Sequence, residues 1–198
     1  IDTILEVCDY ENKKIVVMGC LVERYQQSLE KSIPEVDFYF PIRDYDNIDE
    51  LFKKLTSSTE SHKMDYTKRV ITTSNHSVYL RIAEGCDNKC AYCAIPLIRG
   101  KFKSRDFDSL IEETKVLVAN GAKEITLIAQ DTTRYGTDFK DKDPRRLEHL
   151  LKAISEINGV EWVRVLYLYP DEITKEILSE IKENNKVAKY FDIPIQHA

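Results

Sequence analysis

The chain has 198 residues, 42% apolar and 32% charged, with a formal net charge of −5, values of an ordinary globular protein and not of a fibrous or disordered one. No stretch approaches the roughly 18 uninterrupted apolar residues of a membrane span, and no basic segment followed by an apolar core reads as a secretory signal, so a cytoplasmic protein with no membrane partner is expected. Residues 1–60 hold 7 basic against 13 acidic side chains, which makes that part a poor nucleic-acid surface.

In chain order, apolar spacing predicts a helix over Asp2 to Asp9, with Ile1, Ile4, Leu5 and Cys8 on one face. Cys8 on that face reads as packing. A short strand follows at Lys14 to Met18, then a helix from Val22 to Lys31 stopped by Pro34. Phe38 to Pro41 reads as a strand and Asn47 to Leu55 as a helix that Asn47 can cap. Thr56 to His76 lacks apolar periodicity and is rich in Ser, Thr, Lys and His, the pattern of an exposed loop or linker.

A second alternation begins with a strand at Val78 to Ala83 and a helix from Asp108 to Asn120 that Gly121 ends. Strands at Glu124 to Ala129, Trp162 to Leu168 and Tyr190 to Ile195 alternate with helices at Arg145 to Ile157 and Thr174 to Asn184. Alternation of this kind implies parallel sheets with helices on their faces. The expected fold class is α/β, with the C-terminal part of a small parallel-sheet domain at 1–60, a linker at 61–76 and the first four strands of an incomplete barrel at 77–198. The chain opens inside an amphipathic pattern and stops directly after a strand, as part of a longer protein would.

Chemistry in such folds collects where parallel strands end. Glu84 to Cys93, Gln130 to Gly136 and Gln196-His197 all follow predicted strands. The first of these contains Cys86, Cys90 and Cys93 in a C-x3-C-x2-C spacing. An odd total of five cysteines, three of them crowded together, argues against a secreted disulfide framework and for metal ligation. Three thiolates can each hold one iron of a 4Fe–4S cluster and leave the fourth iron open, whereas electron-carrier clusters fill every iron with cysteine. An open iron can chelate the amino and carboxylate groups of S-adenosylmethionine, and an electron from the cluster then breaks the sulfonium bond. The alternative is a structural zinc site, which needs a fourth ligand from Cys20, His76 or His197.

The sequence around these cysteines resembles the radical S-adenosylmethionine superfamily, whose members carry an aromatic residue before the last cysteine, here Tyr92. The resemblance implies that this neighbourhood packs beside the adenine. The segments Met18 to Tyr25, Ala94 to Gly100, Ser104-Arg105 and Asp192 to His197 are similar to the methylthiotransferases of that superfamily. These insert sulfur into a C–H bond and methylate it, using a radical barrel and an N-terminal domain with a second 4Fe–4S cluster. The resemblance makes Cys20 a ligand of that second cluster, together with two upstream cysteines absent from this sequence. The run Ala129 to Gly136 and the segment Tyr167 to Asp171 resemble the branch that modifies the β-carbon of an aspartate in small-subunit ribosomal protein twelve, with the branch acting on a tRNA adenosine as the alternative. An electron donor is then a required partner.

Gln130 and Asp131 are candidate contacts to the methionyl or ribose part of the cofactor, and Asp131 is equally placed to cap the following turn. His197 is a candidate for the same cavity or a structural histidine. The basic run Arg99 to Arg105 reads as a site for the cofactor carboxylate or the substrate, or as a solvated loop.

Overall fold

The computed structural model describes residues 1–56, 65–72, 74–139 and 143–194. The chain divides into two compact units, Ile1–Asp65 with Lys89–Arg99, and Tyr66–Asn88 with Gly100–Ala198.

In the first unit the order is α1 (Asp2–Cys8), β1 (Val16–Met18), α2 (Cys20–Ser32), β2 (Phe38–Phe40), a 3₁₀ turn (Ile42–Asn47), α3 (Ile48–Thr56) and α4 (Ile95–Arg99). β1 and β2 pair in parallel, Val16 opposite Phe38 and Met18 opposite Phe40. Beside them Ile15, Val22, Leu29, Ile33 and Val36 form a small buried core, against which Cys8 packs as its apolar position implies. The Asp37 carboxylate accepts from Lys14 Nζ at 2.7 Å and Ile15 N at 2.9 Å, and the Lys14 bond holds its pKa below the usual carboxylate range. The helix expected over Asn47 to Leu55 is α3, which begins one residue later at Ile48, directly after the 3₁₀ turn that Asn47 ends.

The second unit contains β3 (Ser77–Arg81), β4 (Ala83–Glu84), β5 (Lys103–Ser104), α5 (Phe107–Ala119), β6 (Glu124–Ile128), α6 (Leu147–Ser155), β7 (Trp162–Val165) and α7 (Lys175–Glu183). β3, β6 and β7 form a parallel sheet in that order. Its register aligns Val78 with Ile125 and Val163, and Leu80 with Leu127 and Val165. These two apolar rows are buried and share one core with Leu110 and Leu117 of α5, Leu150, Leu151 and Ile154 of α6, and Ile177 and Ile181 of α7. The intervening row, Tyr79, Thr126 and Arg164, lies on the opposite face because strand side chains alternate. Helix ends follow local chemistry: Asp106 accepts from Ser109 N at the start of α5, Thr174 accepts from Ile177 N at the start of α7, and Gly121 turns the chain after α5 with φ +104°.

Further expectations change. Of the strand expected over Tyr190 to Ile195, Tyr190 to Pro194 is not a strand and Ile195 lies outside the described residues; only a single parallel bridge, Val163 to Val187, extends the sheet among the described residues. The ladder stops because the chain after β7 turns through Tyr167 at φ +59°, and the carboxylate of Asp192 takes Tyr167 N at 2.9 Å while its carbonyl takes Leu168 N, also at 2.9 Å. Residues 65–72 are not simply an exposed linker. Tyr66 stacks under the Arg105 guanidinium at 3.9 Å, and Arg69 pairs at 3.3 Å with Glu113, whose side chain is 2% exposed and also meets Arg105 at 2.7 Å. Among the described residues, no helix is long and apolar enough to cross a membrane.

Leu127 sits at the centre of the apolar row with no exposed surface. Leu127→Ala is expected to lower unfolding free energy by about 3 kcal/mol, read as a fall in the urea midpoint with an unchanged slope.

Candidate functional site

The loop that begins after β4 carries the three clustered cysteines. Its two ends are fixed within the second unit by the antiparallel pairing of Ala83 with Ser104 and Glu84 with Lys103. Beyond that pair, Cys86 N donates to Gly100 O at 3.2 Å and Phe102 N to Asp87 Oδ1 at 3.1 Å. Gly85 makes this closure possible. It adopts φ +76°, and a Cβ there would collide with the carbonyl oxygen of Lys101.

Cys86 is buried and its Sγ accepts from Asn88 N at 3.4 Å. Cys90 and Cys93 are half-buried, belong to the first unit, and are joined by a tight turn in which Cys93 N donates to Cys90 O at 3.0 Å. None of the five cysteines is in a disulfide. Among the described residues no three His, Cys, Asp or Glu side chains are gathered as ready ligands. The donors still suit an iron–sulfur cluster, because three soft thiols on one loop match what iron–sulfur ligation demands.

The two remaining strand ends contribute differently. After β6, Gln130 keeps its Oε1 buried with no hydrogen-bond partner among the described residues, an acceptor that a bound ligand's donor would satisfy. Asp131 is 1% exposed, and its carboxylate accepts from three side chains, those of Asn88, Thr133 and Arg134. Among the described residues no backbone amide donates to it, and the turn that follows is joined to it through the side chains of Thr133 and Arg134. After β7, Tyr167 holds its strained backbone with its carbonyl accepting from Thr132 N at 3.1 Å, and its side chain is half exposed. A bulky residue at positive φ marks a position that its surroundings over-determine.

Tyr92 is 75% exposed in the first unit. Cys20, the first residue of α2, is exposed, and Arg99 Nη2 donates to its Sγ at 3.3 Å. The basic run therefore divides: Lys101 and Lys103 are exposed, whereas Arg105 is committed to Glu113 and to the Arg81 carbonyl at 2.8 Å. The neighbouring Ser104 accepts Gly136 N at 2.8 Å. Ser104-Arg105 thus ties loops together. His197 lies outside the described residues. Asn88, Thr133 and Arg134, which meet the Asp131 carboxylate, have no individual site role in the sequence reading beyond their place in segments after predicted strands.

The superfamily description "Radical SAM superfamily" matches residues 80–198. The chain is 48% identical over 208 aligned positions to the ribosomal protein uS12 methylthiotransferase RimO of Clostridium tetani, with 100% of this chain and 46% of that protein covered. It is 47% identical to the enzyme of the same name from Clostridium kluyveri, with 100% and 47% covered. The chain thus spans about half the length of the curated relatives it matches. Among solved structures, a radical S-adenosylmethionine methyltransferase from Kitasatospora setae superposes with a TM-score of 0.42 at 16% identity, over 53% of this chain and 20% of its own.

Gly85→Ala is expected to destabilise the metal-free protein by about 2 kcal/mol or more, since it adds left-handed strain to a backbone collision. Urea denaturation followed by circular dichroism checks it, and a midpoint equal to the parent's would show that the Lys101 segment yields freely.

Proposed function

Because the chain belongs to the radical S-adenosylmethionine superfamily, we propose that Cys86, Cys90 and Cys93 hold a 4Fe–4S cluster and that the protein is a methylthiotransferase acting on ribosomal protein uS12 at the β-carbon of an aspartate. The observation that carries this reading is the C-x3-C-x2-C loop itself, which leaves β4 with its ends clamped and its thiols outside any disulfide. When bound, the cluster supplies the electron that opens S-adenosylmethionine to radical chemistry.

The chain's own residues do the holding. Asn88 N–H supports the sulfur of Cys86, and the turn at Cys90 sets the spacing to Cys93. Gln130 offers its unsatisfied oxygen to an ammonium or hydroxyl of the cofactor. Tyr92, exposed two positions after Cys90, is placed by this reading beside the adenine. Cys20 is proposed as one ligand of a second 4Fe–4S cluster, completed by two cysteines outside this sequence, with Arg99 supplying positive charge beside it. Cytoplasmic location and a separate electron donor belong to the same reading.

Two measurements test it. Anaerobic reconstitution of the protein with iron and sulfide should give a brown product with about four irons for this cluster and a broad visible band bleached by dithionite. Cys90→Ala should lose that cluster's iron and the release of 5′-deoxyadenosine from S-adenosylmethionine. A colourless protein that takes up zinc instead would sink the proposal. For substrate, incubation of the intact enzyme with uS12 should add a methylthio mass to an aspartate, and product on tRNA alone would reassign the chain to the tRNA branch.

A further inference from the structure

The carboxylate of Asp131 stands where the loops after all three strands of the parallel sheet meet. From the cysteine loop, Asn88 Nδ2 donates to Oδ2 at 3.1 Å. From its own loop, Arg134 Nε donates to the same oxygen at 3.1 Å, and Thr133 Oγ1 donates to Oδ1 at 2.5 Å. The loop after β7 is joined through both of these neighbours. Thr133 Oγ1 accepts Tyr169 N at 3.0 Å, and Arg134 Nη2 pairs with Glu172 Oε1 at 2.7 Å.

Three donors converging on one buried group call for an acceptor-only side chain. An ionised carboxylate has no proton of its own to oppose them, whereas an asparagine would direct an amide donor at one of the three. The buried charge is offset by Arg134 at 3.1 Å and by the hydrogen bonds, as a charge removed from water must be. Asn88, in turn, is the middle residue between Cys86 and Cys90, and its backbone N–H is the donor to the Cys86 sulfur. A side chain fixed at Asp131 therefore fixes the amide that supports the thiolate.

We propose that Asp131 is a positioning residue for the cysteine loop, acting through Asn88, and not a contact to the cofactor. The inference rests on the cluster assignment for its consequence. Hydrogen bonds to ligand sulfurs are among the factors that set iron–sulfur potentials, so loosening Asn88 shifts the cluster to a more negative potential. Its structural half, the link between Asp131 and the loop, stands on the metal-free protein alone.

The experiment uses the intact protein in Asp131→Asn, Asn88→Asp and doubly substituted forms. In metal-free protein, iodoacetamide labelling of Cys86 is followed by mass spectrometry, with the fluorescence of Trp162, which lies in the same unit, as the control for unfolding of that unit. Each single change is expected to speed Cys86 labelling roughly tenfold, since a hydrogen bond to a charged group that resists local opening is lost, while the Trp162 signal stays that of the folded protein. Asn88→Asp opposes two carboxylates, and the double exchange restores a donor opposite an acceptor. Its Cys86 labelling should be slower than in either single variant, the signature of direct coupling.

After reconstitution, the single variants should show a more negative midpoint potential than the parent. Parent-like Cys86 labelling in both single variants would overturn the positioning role, and a double variant as fast as the faster single would overturn the direct link. A parent protein that assembles no cluster would instead defeat the functional reading, with the labelling result still deciding the role of Asp131.

Discussion

Parallel pairing of β3, β6 and β7 is the constraint from which the second unit follows. Strands that run the same way must be joined by crossovers, and a helix is the economical crossover because it satisfies its own backbone. The two apolar rows of the sheet then face those helices, which explains why the buried positions of α5, α6 and α7 merge with the sheet into one core. The same constraint sends all three strand ends to one edge, so loops far apart in sequence become neighbours there. The opposite face keeps Thr126 buried and Arg164 paired with Glu124 at 2.7 Å, while Tyr79 in the same row is exposed.

What organises that edge is side-chain chemistry and not further secondary structure. Where a fourth strand was expected, one carboxylate and one carbonyl of Asp192 serve the amides of Tyr167 and Leu168. Arg105 holds the carbonyl of Arg81 at the end of β3 and pairs with a carboxylate on α5. Tyr135, buried and with its phenol pKa pushed up by that burial, donates to the Arg105 carbonyl at 3.0 Å. The edge is therefore stiff at its base, while exposed Tyr167 and the lysines of the basic run remain at its surface.

Legibility in the sequence followed the range of the interactions. Elements whose apolar residues repeat locally, such as α5, β6 and α6, were readable to within a few residues because periodicity is a local property. The cysteine spacing was readable for the same reason, since ligation chemistry is expressed within eight positions. The Asn88–Asp131 bond spans 43 positions, and nothing in either residue's neighbourhood announces the other. Ser104-Arg105 looked like part of a basic run because charge is visible in sequence, whereas commitment to buried Glu113 is visible only once α5 is placed. Tyr190 to Pro194 has strand-like composition, yet pairing depends on the course of β7, and the turn at Tyr167 ends it.

The division of the chain into units has an implication for how such a protein can be rearranged. The backbone passes from one unit to the other between Asp65 and Tyr66, again between Asn88 and Lys89, and once more between Arg99 and Gly100. A module entered and left once can be cut out, fused or exchanged at its borders. Here a single cut at the apparent boundary severs the peptide but not the folding units, because eleven residues that pack with the first unit are encoded inside the second. Recombination or truncation at that boundary removes from the first unit the helix α4, which supplies Arg99 to Cys20. The two halves are thus bound to travel as one heritable piece, and a swap that keeps only the N-terminal stretch inherits an incomplete unit.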